Sequence, residues 1–158
     1  MEYVPFSSIP YYSDCEQLVE SLGFHLVELK VVPAKTVVKI SAVIASKDSA
    51  VHISVEDCSK VHHALQPRLD ALLGTEDTAM ELTSPGIDRN IKNAAEFTFF
   101  TNCKVRVWQK SRSDWVYGTI VSSDNTSLVL QTGTGQDTIN YDDIAKAKLA
   151  TNIAKGDF

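Results

Sequence analysis

The chain of 158 residues is 44% hydrophobic and 22% charged, which is typical of a globular protein with one or two small domains. No stretch reaches the ~18 apolar residues that a membrane-spanning helix requires. The first twelve residues, MEYVPFSSIPYY, hold no Lys or Arg and no long apolar run, so we expect no secretory leader.

The net charge of −5 is divided unevenly along the chain. Residues 1–90 hold seven Lys and Arg against thirteen Asp and Glu, a balance of −6, whereas residues 91–158 hold eight against seven, a balance of +1. This division argues against a molecule that coats nucleic acid over its whole length. An acidic first half suits a strongly basic partner, although it would equally serve to keep the protein in solution.

The three cysteines, Cys15, Cys58 and Cys103, are odd in number and more than forty positions apart. A zinc site needs paired ligands at short spacing, which none of these cysteines has. We therefore expect reduced thiols in a cytoplasmic protein, and no structural metal.

The first element in the chain is a predicted helix that ends at Gly23. Ser13 and Glu16 have the spacing of a capping box at its start. The period then changes to two, which predicts strands over Phe24–Val32 and Thr36–Ala45, joined by a short hairpin loop. The residues expected on the apolar faces are Cys15, Leu18, Val19 and Leu22 of the helix, Val27, Leu29 and Val31 of the first strand, and Val38, Ile40, Ala42 and Ile44 of the second.

A second helix is predicted to begin at Ser54 and to end at Gly74, with Pro67 expected to kink or break its last two turns. Thr78–Thr83 alternates again and predicts a third strand. The order α-β-β-α-β indicates an α+β domain over residues 1–90, in which helices cover one face of a three-stranded sheet. The apolar stripe of the second helix consists of Cys58, Val61, Leu65, Leu69 and Leu72.

The second half is predicted to be almost entirely β structure. Residues 91–102 are expected to form a linker or short helix with packing phenylalanines, and residues 151–158 a loose tail. Between them, Gly118 can bend a strand sharply, and turn residues separate five short strand candidates. These candidates, Lys104–Gln109, Trp115–Ser122, Ser127–Thr132, Asp137–Tyr141 and Ala145–Leu149, predict a small all-β barrel of the SH3 or Sm kind over residues 103–150.

The candidates for catalysis and for ligand binding are weak. Ser84 lacks the glycine two positions earlier that a nucleophile elbow requires. The adjacent pair His62-His63 does not have the spacing of two metal ligands on one helix face. Asp142-Asp143 is typical of a turn or cap. We therefore predict no catalytic residue, no cofactor and no metal site.

One strand carries a pattern that suits nucleic acid. If the strand extends to residue 110, alternation places four side chains on the same face: Lys104, Arg106, Trp108 and Lys110. Cations beside an indole are what phosphate contacts and base stacking would use. The alternative is a solvated outer face without a ligand, and the sequence leaves both open.

The stretch ELTSPGIDRN, residues 81–90, predicts an abrupt corner between the two halves. Pro85 fixes its own φ, and Gly86 accepts conformations that other residues avoid. Asp88 and Arg89 follow directly, and Ser84 precedes. We expect a structural corner whose Asp-Arg pair fixes the relation of the two domains; the alternative is that these residues form a docking surface.

Three stretches resemble the bacterial ribosome maturation factor RimP family: ELTSPGIDRNIKNAAEF, ISVEDCSKVHHAL and YDDIAKAKL. They occur in the family's order and together extend the resemblance over almost the whole chain. The sequence departs from the family pattern at Asn90, where proline is usual, and at Thr101-Asn102, where a glycine is usual.

The resemblance implies a two-domain cytoplasmic assembly factor that is monomeric and not an enzyme. Its expected role is maturation of the small ribosomal subunit, through binding of a basic ribosomal protein at the decoding centre and of nearby rRNA. The acidic first half is consistent with a basic partner. The alternatives are an Sm-like RNA-binding regulator not tied to the ribosome and, more remotely, a hydrolase that uses Ser84.

Overall fold

The structure, a computed structural model, describes residues 1–48 and 52–150. The predicted tail, residues 151–158, lies outside the described residues. The described chain divides into a first unit, Phe6–Pro85, and a second unit that combines Met1–Pro5 with the residues from Gly86 onward. The predicted division into a domain over residues 1–90, a linker over 91–102 and a barrel over 103–150 stays a prediction.

The first unit has the predicted order of helices and strands. A 3-10 helix, Phe6–Ser8, precedes α1 (Tyr12–Ser21), β1 (Phe24–Val32), β2 (Val38–Ser46), α2 (Val55–Leu73) and β3 (Thr78–Thr83). The sheet has the order β1-β2-β3, in which β1 and β2 are antiparallel and β2 and β3 are parallel. The α+β class is confirmed.

Both helices pack on one face of this sheet. The Tyr12 hydroxyl donates a hydrogen bond to the Leu26 carbonyl oxygen, and the Tyr12 ring stacks on Phe6 at 4.7 Å between centroids. The buried cluster contains Tyr12, Cys15 and Val19 of α1, Leu26, Leu29, Ile40, Ala42 and Ile44 of the sheet, and Val61, Leu65 and Leu69 of α2.

The predicted capping box at the start of α1 is wrong. The helix begins at Tyr12 after Tyr11, which has φ 66° and no side-chain cap, so Ser13 lies inside the helix. The Tyr12 N–H instead donates to the Ile9 carbonyl oxygen at 3.2 Å. Aromatic packing of Tyr12, together with the turn before it, therefore determines where the helix begins.

Two predicted core positions differ in detail. Val27 is buried as predicted, but a β-bulge between Leu26 and Glu28 places Leu26, rather than Val27, in the cluster that contains Leu29. On α2, Leu72 is 37% exposed and Leu73 packs against the core instead. Sequence spacing alone cannot choose between 72 and 73, because a helical turn of 3.6 residues from Leu69 falls between them.

The second helix is continuous through Pro67, so it does not break there, and the alternative of a kink stays a prediction. Leu65 and Leu69 are fully buried on either side of the proline, and this packing holds the helix together across it. The helix starts with a capping box: the Asp57 N–H donates to the Ser54 hydroxyl at 3.1 Å, and the Ser54 N–H donates to the Asp57 carboxylate at 3.0 Å.

The second unit is a six-stranded antiparallel sheet of order β4-β9-β5-β6-β7-β8. Strands β5 to β8 form a meander, and β9 returns to pair with β5, which confirms a small all-β domain. The strands are β4 (Asn90–Ile91), β5 (Lys104–Gln109), β6 (Asp114–Ser123), β7 (Ser127–Thr132), β8 (Gly135–Asn140) and β9 (Ile144–Leu149), with 3-10 helices at Ala94–Phe100 and Tyr141–Asp143.

Alternate residues of these strands form the second core, which includes Val105, Val107, Ile120, Leu128 and Leu130. Gly118 stands in the same inward row. A Cβ at this position would lie 2.9 Å from the Gln131 carbonyl oxygen, so the close approach of β7 requires glycine.

Asn102 occupies a left-handed conformation, with φ 71°. Asparagine tolerates this region better than most residues other than glycine. Its conformation explains how Thr101-Asn102 can stand where a glycine is usual in the family that the sequence resembles.

A basic and aromatic face on the second unit

The outer face of β9, β5 and β6 forms a ladder of three cross-strand rows. Trp108 lies opposite Trp115 on β6 and Lys146 on β9. Arg106 lies opposite Tyr117 and Lys148 in the next row. The third row pairs Lys104 with Thr119. Val105 and Val107 alternate with these residues and are fully buried. The side chains of β5 therefore point alternately to the core and to the surface, as alternation predicts.

The rings and cations of this face already contact one another. The Trp108 and Trp115 rings meet edge to face, with centroids 5.6 Å apart and an interplanar angle of 86°. The Arg106 guanidinium carbon lies 4.5 Å from the Trp115 centroid, and Lys146 Nζ lies 5.3 Å from the same centroid. These distances are within the range of cation–π interactions, which favour this arrangement of the side chains.

The face has no carboxylate among its described residues. Its outward side chains are Lys104, Arg106, Trp108, Trp115, Tyr117, Thr119, Lys146 and Lys148. Four cations with aromatic rings among them suit an anionic partner that also has flat apolar surfaces. Nucleic acid is the common partner with both properties.

Lys110 does not continue this row, contrary to the prediction from alternation, because β5 ends at Gln109 and Lys110 lies in the turn that follows. Its backbone N–H donates to the Asp143 carbonyl oxygen at 2.7 Å, and its side chain is exposed. The Asp143 carboxylate accepts bonds from the Ser111 hydroxyl at 2.7 Å and from Gln109 Nε2 at 2.8 Å. These hydrogen bonds hold the pKa of Asp143 below its usual value. Asp143 therefore fixes the turn.

A groove of about 430 Å³ begins where this face meets the turn between β7 and β8. Trp115 and Tyr117 belong to both the face and the groove. The other lining residues are Arg112, Asp114, Val116, Thr132, Gly133, Thr134 and Asp137.

The predicted corner has the expected backbone conformation at Gly86, where φ is 72°. Ser84 and Asp88 are exposed, and Pro85 is partly buried. Arg89 has a partner that the sequence did not indicate. Its Nε and Nη2 each lie 2.8 Å from Glu96 Oε1, and the two side chains are only 8% and 2% exposed.

Glu96 is also bonded to the backbone that precedes its 3-10 helix. Its Oε2 accepts hydrogen bonds from the N–H groups of Lys92 at 3.2 Å and Asn93 at 3.1 Å. Burial raises the pKa of Glu96, and Arg89 opposes this rise. The Arg89–Glu96 pair is thus a structural element of the second unit. A role of Asp88 and Arg89 in fixing the relation of the domains stays a prediction.

The histidines and cysteines considered in the sequence analysis have no ligand-binding arrangement among the described residues. His62 Nε2 lies 3.1 Å from the Met80 carbonyl oxygen, and His63 is exposed. Within residues 1–48 and 52–150, no three His, Cys, Asp or Glu side chains are grouped to hold a metal ion. Cys15, Cys58 and Cys103 are free thiols, and burial raises the pKa of Cys15 to about 11. None of the helices described here is long and apolar enough to cross a membrane.

Five of the eight outward residues of the basic and aromatic face lie on β6 and β9, and the periodicity of a single strand did not predict them. Trp115 and Tyr117 alternate in DWVYG, and Lys146 and Lys148 alternate in IAKAKL. Each alternation is visible in the sequence, but whether its residues join Lys104, Arg106 and Trp108 on one surface depends on which strands are neighbours. The pairing of β9 with β5 joins segments about forty residues apart, and single-strand periodicity does not show it.

Fold and face together define a two-unit α+β protein whose small β unit presents a cationic, aromatic surface. The model of the RimP N-terminal domain matches residues 14–88. The ribosome maturation factor RimP of Borrelia garinii subsp. bavariensis is 30% identical over 138 residues, 87% of this chain and 92% of that protein. Its counterpart in Borreliella afzelii is 28% identical over the same shares, and that of Borreliella burgdorferi is 28% identical over 134 residues, 85% of this chain and 89% of that protein. The chain belongs to the RimP family.

Proposed function

We propose that the protein is a ribosome maturation factor that acts on the immature small ribosomal subunit without catalysing a reaction. Its relatives carry the name ribosome maturation factor RimP. The observation that carries the proposal is the basic and aromatic face, because a binding factor for a ribonucleoprotein needs a surface for RNA. Four cations and three aromatic rings on neighbouring strands supply such a surface.

A second partner is a basic ribosomal protein of the same subunit. The balance of −6 over residues 1–90 favours a cationic protein partner by charge complementarity. The near-neutral balance of residues 91–158 conceals the local cationic face. The first half of the sequence thus suits a basic ribosomal protein, and the second half suits rRNA. The protein acts in the cytoplasm, as a monomer.

The test is sedimentation of lysate from cells with and without the gene. The protein is expected to co-migrate with immature small subunits, and these subunits are expected to accumulate when the gene is deleted. Association with large subunits alone, or a normal subunit profile after deletion, would contradict the proposal.

The same experiment separates the alternatives. An Sm-like RNA regulator would migrate with free RNA and leave subunit profiles unchanged. A gene that encodes Ser84→Ala should restore normal profiles in the deletion strain, since Ser84 is exposed and lacks the glycine two positions earlier that a nucleophile elbow requires. Loss of function in a folded Ser84→Ala variant would favour the hydrolase.

A further inference from the structure

We propose that the groove beside Trp115 takes one unpaired base of an RNA strand, whose phosphates lie along the cationic rows of β5 and β9. The inference rests on the rRNA partner of the proposed function and narrows it to single-stranded RNA with a base-binding site.

The groove is large enough for a base. Its volume of about 430 Å³ lies within the range of small-ligand pockets. Trp115 lines the groove. On the basic and aromatic face, the same ring contacts the Trp108 ring and the Arg106 guanidinium. A base that enters the groove therefore meets a ring that already contacts its neighbours, which lowers the entropic cost of stacking.

The distribution of charge places the phosphates outside the groove. Asp114 and Asp137 line the groove together with Arg112, whereas the outward residues of the three adjacent strand segments include four cations and no carboxylate. Two carboxylates disfavour a phosphate inside the groove. The rows of Lys104, Arg106, Lys146 and Lys148 favour phosphates outside it.

The hydrogen-bonding groups of the groove suit a base that carries an amino group. The carboxylates of Asp114 and Asp137 can only accept hydrogen bonds when ionised. The exocyclic amino groups of adenine, cytosine and guanine each have two N–H donors, whereas uracil has only its single ring N3–H on the base edge. The groove should therefore prefer a base with an amino group over uracil. Because side chains cannot enter the narrow major groove of paired RNA, the base must be unpaired.

A basic peptide is the other occupant that two carboxylates and an indole could hold. Arg112 inside the groove and the cations beside it would repel Lys and Arg side chains. The charge around the groove therefore favours RNA.

The test uses the full chain and its own fluorescence. Trp108 and Trp115 are the two tryptophans of the sequence, so quenching reports directly on this face. The protein is titrated with ten-nucleotide homopolymers of A, C and U, with a duplex RNA of similar length, and with a lysine-rich peptide. We expect oligo(A) and oligo(C) to bind more tightly than oligo(U), and duplex RNA to bind weakest. A peptide that binds the acidic first half should leave the tryptophan fluorescence unchanged.

Matched variants separate stacking from charge. Trp115→Leu should weaken binding of labelled oligo(C), measured by anisotropy, by about 5- to 150-fold, since it removes one stacked ring. Trp115→Phe should recover most of this loss. Asp137→Asn should reduce the preference for C over U without unfolding the protein. Circular dichroism controls for the fold of each variant.

Three results would overturn the inference: equal binding of duplex and single strands, stronger quenching of the tryptophans by the peptide than by RNA, or unchanged RNA affinity in folded Trp115→Leu. If RNA binding fails while the protein still co-migrates with immature subunits, the base site is refuted and the proposed function stands. If co-migration fails while the oligonucleotides bind, the proposed function is refuted instead.

Discussion

Arg89 and Glu96 form an ion pair that is shielded from solvent on both sides. Both donors of Arg89 reach one carboxylate oxygen at 2.8 Å, and two backbone N–H groups bind the other. Such a pair is worth little relative to apolar residues of the same size, but removing one partner leaves a buried charge. Its role is therefore best tested by removing one partner and then both.

Arg89→Ala should destabilise the second unit by about 3–5 kcal/mol, because Glu96 stays buried without its cation. Chemical denaturation at neutral pH measures the loss. Adding Glu96→Gln to Arg89→Ala should recover part of it, since the remaining side chain is neutral. Equal stability of wild type and Arg89→Ala would show that the pair contributes nothing.

The same variant should show a specific pH dependence. Burial raises the pKa of Glu96, and without Arg89 nothing of comparable charge opposes that rise. A carboxyl with a raised folded pKa stabilises the fold below its unfolded pKa and loses this contribution as pH rises through the folded value. Arg89→Ala should therefore lose stability relative to wild type as pH rises above the usual Glu range, and the double variant should not.

Gly86 tests backbone conformation in open space. Its φ is 72°, and no atom lies within 4 Å of a Cβ built there. Gly86→Ala should therefore cost about 1–2 kcal/mol through strain alone. Gly86→Asn should cost less, because asparagine tolerates this conformation. Unfolding midpoints of the two variants measure these losses of stability. A smaller loss for Gly86→Ala than for Gly86→Asn would contradict the assignment of backbone strain to this position.

At the scale of the strands, Gly118 presents the opposite situation. An added Cβ would meet the Gln131 carbonyl oxygen at 2.9 Å and the Leu130 Cβ at 3.1 Å. Both are parts of a paired strand, so neither can move cheaply. Gly118→Ala should cost about 1–3 kcal/mol by overpacking, measured by denaturation. A variant as stable as wild type would show that β6 and β7 can separate without cost.

The cationic rows should determine the salt dependence of RNA binding. Replacing Arg106, Lys146 and Lys148 by Gln should lower the slope of log affinity against log salt by about 0.7 for each phosphate of a single strand that is no longer neutralised. Lys30, Lys35 and Lys39 are exposed on the first unit, and their replacement by Gln changes the net charge equally. An unchanged slope in the first variant, or equal decreases in both, would mean that the face does not bind phosphates.

The sequence predicted the bounds of individual strands better than it predicted which strands pair with each other. β1, β3, β5 and β7 have the predicted bounds, because period-two alternation with turn residues at each end is local information. Local spacing failed where tertiary packing decides: at the start of α1, at the β1 bulge and at Pro67. Five of the eight residues of the face were missed for the same reason, since the residues of β6 and β9 join it only through strand pairing.

At the scale of the whole molecule, the overall charge gives no indication of the basic and aromatic face. The chain has a net charge of −5, yet three adjacent strands present four outward cations. A protein that binds a ribonucleoprotein benefits from this division, because a uniformly basic surface would hold any RNA. Selective binding then requires that the local face, and not the net charge, determine association.

Co-sedimentation with purified immature small subunits tests most directly whether the face determines association. Wild type, the Gln variant of Arg106, Lys146 and Lys148, and the Gln variant of Lys30, Lys35 and Lys39 are compared at one salt concentration. We expect wild type and the Lys30 set to co-sediment equally, while the Arg106 set is largely absent from the subunit fraction with its fold intact. Equal co-sedimentation of all three proteins would contradict a binding role for the face.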